Sequence, residues 1–231
     1  MNLKKYLPFI FLGIGILVIV LVFVFVKGRK VSETEEDGGT VAEISFPNRP
    51  FASLTPTSDG HYINLKIEKL NVPKAVSMDY ELLYSLPDGR AQGVPGTAEL
   101  KDISVFERKL LLGSESNGKF RYDEGVEEGN LTVRFRDSKG KLLAKFQTKF
   151  HLQSSVTELI QVLTSVEGDF VYTFDKPQKT GYYITMNTFG LPQGDSVSSV
   201  TDGPYGIFSS SALPSGSASG WQTISTNLFY K

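Results

Sequence analysis

Hydrophobic and polar positions along the chain fall into three successive patterns. From Leu7 to Val26, twenty consecutive residues carry no charge. At about 1.5 Å per helical residue they cover the roughly 30 Å hydrocarbon core of a bilayer. A lone strand in lipid would leave its backbone groups unpaired, so the β-branched residues here still imply a transmembrane helix. The run ends Val24-Phe25-Val26-Lys27, without the small-x-small site of a cleaved leader, so an uncleaved signal anchor is expected. Lys4 and Lys5 flank one end, and Lys27, Arg29 and Lys30 the other, which leaves orientation to size. A six-residue head (1–6) and a long body favour a cytoplasmic N-terminus, with the C-terminal bulk outside the cell membrane.

Residues 27–48 read as a flexible linker, basic in KGRK and then acidic at Glu33, Glu35, Glu36 and Asp37, with little to bury. From there the period changes to two. Ile63, Leu65 and Ile67 alternate with Asn64, Lys66 and Glu68, and Tyr80, Leu82 and Tyr84 repeat the pattern, predicting half-buried strands. A hairpin is predicted where Leu131, Val133 and Phe135 meet the series Leu142 to Leu152 through Asp137-Ser138-Lys139-Gly140. With strands near 97–100 and 106–112, six or seven short strands fall within residues 49–152. That is the count of an Ig-like or fibronectin-like β-sandwich.

Composition then moves the boundary into view. Residues 49–152 hold 16 Lys+Arg and 14 Asp+Glu, whereas residues 153–231 hold 3 and 6 and are rich in Ser, Gly and aromatics. A second, smaller β-module is therefore expected over 153–231. A partial repeat links the two: ERKLLLGSESNGKFRY (107–122) and ELIQVLTSVEGDFVY (158–172) share an apolar run, a turn and Gly-x-Phe-x-Tyr. Residues 156–164 read either as a strand, which the repeat favours, or as a short helix opened by a Ser155-to-Glu158 capping box. The fold class expected is thus all-β, two antiparallel β-modules behind a transmembrane helix.

Charge and residue inventory narrow the chemistry. Twenty-four Lys+Arg against 25 Asp+Glu offer no footprint for nucleic acid. Without Cys, and with two His 90 positions apart, no thiolate, metal or cofactor site is expected. Ser138-x-x-Lys141 matches a serine-nucleophile spacing, but it lies in a hairpin turn. Gly216-Ser217-Ala218-Ser219-Gly220 places Ala where a nucleophile elbow needs Ser. His61 and His151 read as edge or surface imidazoles. Asp123, Glu124, Glu127 and Glu128 form a dense acidic loop, read as solvated, as a carboxylate set for glycoside hydrolysis, or as calcium ligands without EF-hand spacing. Eleven aromatic residues lie in the last 62. Phe170, Tyr172 and Phe174 are expected in a core, and Tyr205 and Trp221 on an exposed patch contacting a ligand.

In architecture, residues 49–231 resemble bacterial surface proteins that carry Ig-like or fibronectin-like domains. The anchor, the spacer and the missing catalytic constellation lead to the expectation of a non-catalytic binding, adhesion or structural role, with the bilayer and an envelope glycan or another surface protein as partners. An envelope glycan-active enzyme using the acidic loop, or a membrane-complex subunit, are the alternatives.

Overall fold

The computed structural model describes residues 43–197 and 199–231, and apart from a short 3-10 turn at Phe46–Asn48 its regular structure there is all β. The expected transmembrane span at 7–26, the head and the linker up to residue 42 lie outside the described residues. No helix among the described residues is long and apolar enough to cross a membrane.

Period-two alternation builds the first layer. Strands β1 (Phe51–Pro56), β2 (Tyr62–Glu68) and β5 (Val105–Leu111) form an antiparallel sheet in the order β1-β2-β5. Ile63, Leu65 and Ile67 are fully buried, as their alternation predicts. Between β1 and β2, the Asp59 carboxylate accepts the Thr57 hydroxyl and the His61 amide, and so holds the turn that delivers His61.

The second layer is an eight-stranded antiparallel sheet. It contains β3 (Ser77–Ser85), β4 (Ala91–Glu99), β8 (Glu128–Arg136), β9 (Leu142–Ser154), β12 (Tyr182–Asn187), β13 (Tyr205–Ser209), β15 (Gln222–Ser225) and β16 (Leu228–Tyr230), ordered β15-β16-β13-β12-β9-β8-β3-β4. The β8–β9 hairpin closes at the expected turn, where Asp137 Oδ1 accepts the Lys139 and Lys141 amides and Gly140 takes φ +80°. The sheet passes through residue 153 unbroken, because β12 pairs with the end of β9 from Tyr182↔Ser154 to Met186↔Phe150.

A third layer, β10 (Ile160–Thr164), β11 (Val171–Gln178) and β14 (Gly216–Ser217), pairs in the order β10-β11-β14. Of the two readings open for residues 156–164, the structure takes strand, beginning at Ile160.

The two cores lie on opposite faces of the central sheet. One face carries Met78, Tyr80 and Leu82 of β3, Leu131, Val133 and Phe135 of β8, Phe150 and Leu152 of β9, Ile184 and Met186 of β12, and Phe208 of β13; these pack with β1, β2 and β5. Side chains alternate across a strand, so Tyr183, Tyr205, Ile207 and Phe229 point the other way and pack with Leu163, Phe170, Tyr172 and Phe174 of the third layer. At the β3–β8 end that second face is wet, with Arg136 on Asp79 at 2.6 Å and Arg134 on Glu81 at 3.6 Å. One sheet face thus runs from ion pairs to aromatic rings, and this explains the drop in charge after residue 152. Strands covered on both sides need no polar alternation, which is why YYITM in β12 and YGIF in β13 read as apolar runs.

The open edge of β10 is covered by side chains of β9. Gln153 Oε1 accepts the Thr164 amide at 2.8 Å and its Nε2 donates to the Val162 carbonyl at 3.3 Å. His151 Nδ1 lies 2.9 Å from the Thr164 carbonyl, which only accepts, so Nδ1 carries the proton. His151 is thereby occupied in edge protection, a common need of sheets.

Candidate binding surface

Of Tyr205 and Trp221, both expected on an exposed patch, Tyr205 lies inside the second core and Trp221 packs against it. Tyr205 is 6% exposed and stacks on Phe170 at 5.0 Å, because on β13 it faces the third layer. Trp221 is half-buried, edge-on to Phe170 and Tyr205, with the Lys231 ammonium 4.2 Å over its ring. Phe170, Tyr172 and Phe174 are buried, as expected.

The acidic loop divides. Glu124, Glu127 and Glu128 are exposed, while Asp123 is partly covered and its Oδ2 accepts the Tyr84 hydroxyl at 2.9 Å. Burial, and then the Asp123 hydrogen bond, push the Tyr84 phenol well above its ordinary value. Glu128 borders a hollow of about 200 Å³ together with Tyr84 and Lys149. No cluster of three His, Asp or Glu suited to a metal ion occurs among the described residues. Ser138 and Lys141 are exposed in their turn.

Among the described residues, the most exposed aromatic rings lie instead on the hairpin of β6 (Gly113–Ser116) and β7 (Lys119–Tyr122). It closes at Asn117-Gly118, both with positive φ (51° and 74°) as a tight two-residue turn requires. At its base Gly113 has φ +146°, and a Cβ there would lie 2.1 Å from the Arg121 carbonyl oxygen, so only glycine lets β6 turn out of the line of β5. All four residues of β7 are exposed, and neither Phe120 nor Tyr122 belongs to either core.

On β7, Phe120 and Tyr122 share one face, and Lys119 and Arg121 take the other. The cross-strand partners of the two rings are Glu115 and Gly113, so the ribbon itself supplies no apolar cover. Phe120 is 48% and Tyr122 36% exposed, with ring planes 9° apart and centroids 6.2 Å apart. On its other side Tyr122 stacks on His61 at 3.8 Å and 4°. Phe120 and Tyr122 of the ribbon thus stack in parallel with His61 of the β1–β2 turn.

Polar groups edge the row. Tyr62 meets Tyr122 edge-on at 6.1 Å, and the Lys109 ammonium sits 4.0 Å over the Tyr62 ring, within cation–π range. Hydrogen bonding to Tyr62 raises the Tyr122 phenol above its ordinary value. The Thr57 hydroxyl, and then the His61 amide, hold the Asp59 carboxyl below its ordinary value, with His61 Nδ1 3.5 Å from Asp59 Oδ2.

Sequence reasoning noted Gly-x-Phe-x-Tyr in this hairpin only as part of a repeat. The available signal was its partner strand: Gly113-Ser114-Glu115-Ser116 offers no apolar side chain, so a hairpin of this composition has no face to bury. Compared with protein families, curated proteins and solved structures, the chain matches none.

Proposed function

We propose that this is a non-catalytic binding protein of the cell envelope, anchored by residues 7–26 with its Ig-like or fibronectin-like β-layers outside the cytoplasm, and that the ribbon β6–β7 is its contact surface. The observation that carries this reading is the exposure of two aromatic rings, Phe120 and Tyr122, on a hairpin that belongs to neither core. Aromatic side chains set out in water on ordered backbone are the usual anchors of binding surfaces, since they give large contact area at small entropic cost. A single-pass anchor and a spacer that reaches about 70 Å when extended suit a protein that holds such a surface toward a partner.

The test is retention. Full-length protein in detergent is mixed with envelope material from its own cells and sedimented. Wild type is expected in the pellet, and the Phe120→Ala/Tyr122→Ala variant in the supernatant. Equal partitioning of the two overturns the reading.

A further inference from the structure

We infer that Asn117-Gly118, at the tip of the β6–β7 ribbon, is a site of spontaneous covalent modification: the asparagine amide is exchanged for a carboxylate, part of the product is isoaspartate, and the isoaspartate form loosens the ribbon. This goes beyond the binding role and stands whether or not the ribbon is a contact surface.

The backbone nitrogen of Gly118 attacks Cγ of Asn117, and the new N–C bond closes a succinimide ring as ammonia leaves. Water then opens the ring. Breaking the N–Cγ bond restores the original chain with aspartate at 117. Breaking the bond between that nitrogen and the main-chain carbonyl carbon of residue 117 leaves the chain running through the side-chain carboxyl, as isoaspartate. In sum one water enters and one ammonia departs, with no change of oxidation state.

Sequence and structure together single out this position. Of the eight asparagines, Asn117 alone precedes a glycine, whose missing Cβ leaves the attacking nitrogen unshielded. Asn64 and Asn71 are exposed as well, but they precede Leu65 and Val72. Leu65 lies in the middle strand of β1-β2-β5, and the Val72 amide donates to the Leu70 carbonyl at 2.8 Å. After Asn48 and Asn187, the amides of Arg49 and Thr188 donate to the Phe46 and Pro204 carbonyls at 3.2 and 2.7 Å. The Gly118 amide makes no hydrogen bond among the described residues. Attack also needs freedom at Asn117. Residues 114–122 are exposed throughout, and four cross-strand pairs hold a hairpin that belongs to neither core. Such an element opens locally at far lower cost than global unfolding. Isoaspartate lengthens the main chain inside the two-residue turn, whose φ values of 51° and 74° fix the register of the pairs. With the register gone, Tyr122 loses its place on His61.

Full-length protein in detergent is held in mildly alkaline buffer and digested with trypsin. The peptide of residues 110–119 is then separated and weighed beside those that carry Asn64 and Asn71. Acid forms are expected to accumulate at Asn117 about tenfold faster than at either exposed comparator, as two separable products of equal mass. Hydrogen exchange over 114–122 should quicken in step with the isoaspartate fraction while β11 stays unchanged. The Asn117→Gly variant keeps a turn that favours positive φ and should hold its protection over the same period. Conversion at Asn117 no faster than at Asn64 or Asn71 overturns the inference, as does loosening of the ribbon that proceeds equally in Asn117→Gly. Neither result touches the binding role, which rests on Phe120 and Tyr122 and is read from retention of freshly prepared protein.

Discussion

Gly118-Lys119-Phe120-Arg121-Tyr122 and Gly168-Asp169-Phe170-Val171-Tyr172 follow the same local pattern, a glycine in a turn and then Phe and Tyr two residues apart, yet their rings end in opposite surroundings. Phe170 and Tyr172 are 0% and 4% exposed, against 48% and 36% for Phe120 and Tyr122. Both stretches lie in antiparallel hairpins with left-handed glycines (φ +74° and +80°). The difference lies across the strand. Tyr172 faces Leu163 of β10 and, beyond it, the aromatic face of the central sheet. Tyr122 faces Gly113, and Phe120 faces Glu115. A Phe-x-Tyr strand is a core element only if its partner and the opposing sheet supply apolar surface. Where neither does, the rings stay in water.

The sharpest way to break this comparison is to remove one ring from each hairpin in residues 41–231, which form one compact unit. Phe170→Ala leaves a cavity among Tyr205, Trp221 and Phe229 and is expected to cost about 3–5 kcal/mol in urea unfolding. Phe120→Ala is expected to change stability by no more than about 0.5 kcal/mol.

Next in size is Gly113→Ala, which sets a methyl against the Arg121 carbonyl. The expected cost is about 1–3 kcal/mol, confined to the ribbon. Hydrogen exchange should accelerate at residues 114–122 and stay unchanged in β11.

On the other hairpin, Gln153→Ala uncovers the edge of β10, at about 1–2 kcal/mol for the two hydrogen bonds lost from a partly exposed site. With the edge groups open, self-association should rise in sedimentation experiments. No change in either would show that the edge needs no cover.

The smallest effect is on pH. The Asp59 carboxyl is held below the ordinary aspartate value of 3.8. Its contribution is therefore complete above that value and is lost as pH falls through the lower folded value. The His61 and Tyr122 ring signals in NMR should move together below about pH 4 and lose that step in Asp59→Asn, while Phe170 signals stay fixed.

Much of the fold was legible in the sequence because one wet face and one dry face leave a period of two. Ile63-Leu65-Ile67, Tyr80-Leu82-Tyr84 and Leu131-Val133-Phe135 sit in the core where alternation places them. The stacking of layers was not legible. In β12 and β13 both faces are dry, so neighbouring residues such as Tyr183 and Ile184 serve different cores, and nothing local assigns a residue to one side. The same fact misplaced Tyr205. Its Gly- and Pro-rich neighbours suggested exposure, but its register with Phe229 and its stack on Phe170 bury it. The ring row was illegible for a related reason. His61 and Tyr122 are 61 residues apart in sequence and meet only because the Asp59 turn and the Gly113 kink bring them to one end of the β2–β5 pair.

The most direct test of the central claim measures stability and retention on the same protein. For Phe120→Ala/Tyr122→Ala, the urea midpoint should match wild type within error while sedimentation with envelope material is lost. An unfolding midpoint lowered as far as that of Phe170→Ala, or retention equal to wild type, would contradict the claim that these rings serve binding and not the fold.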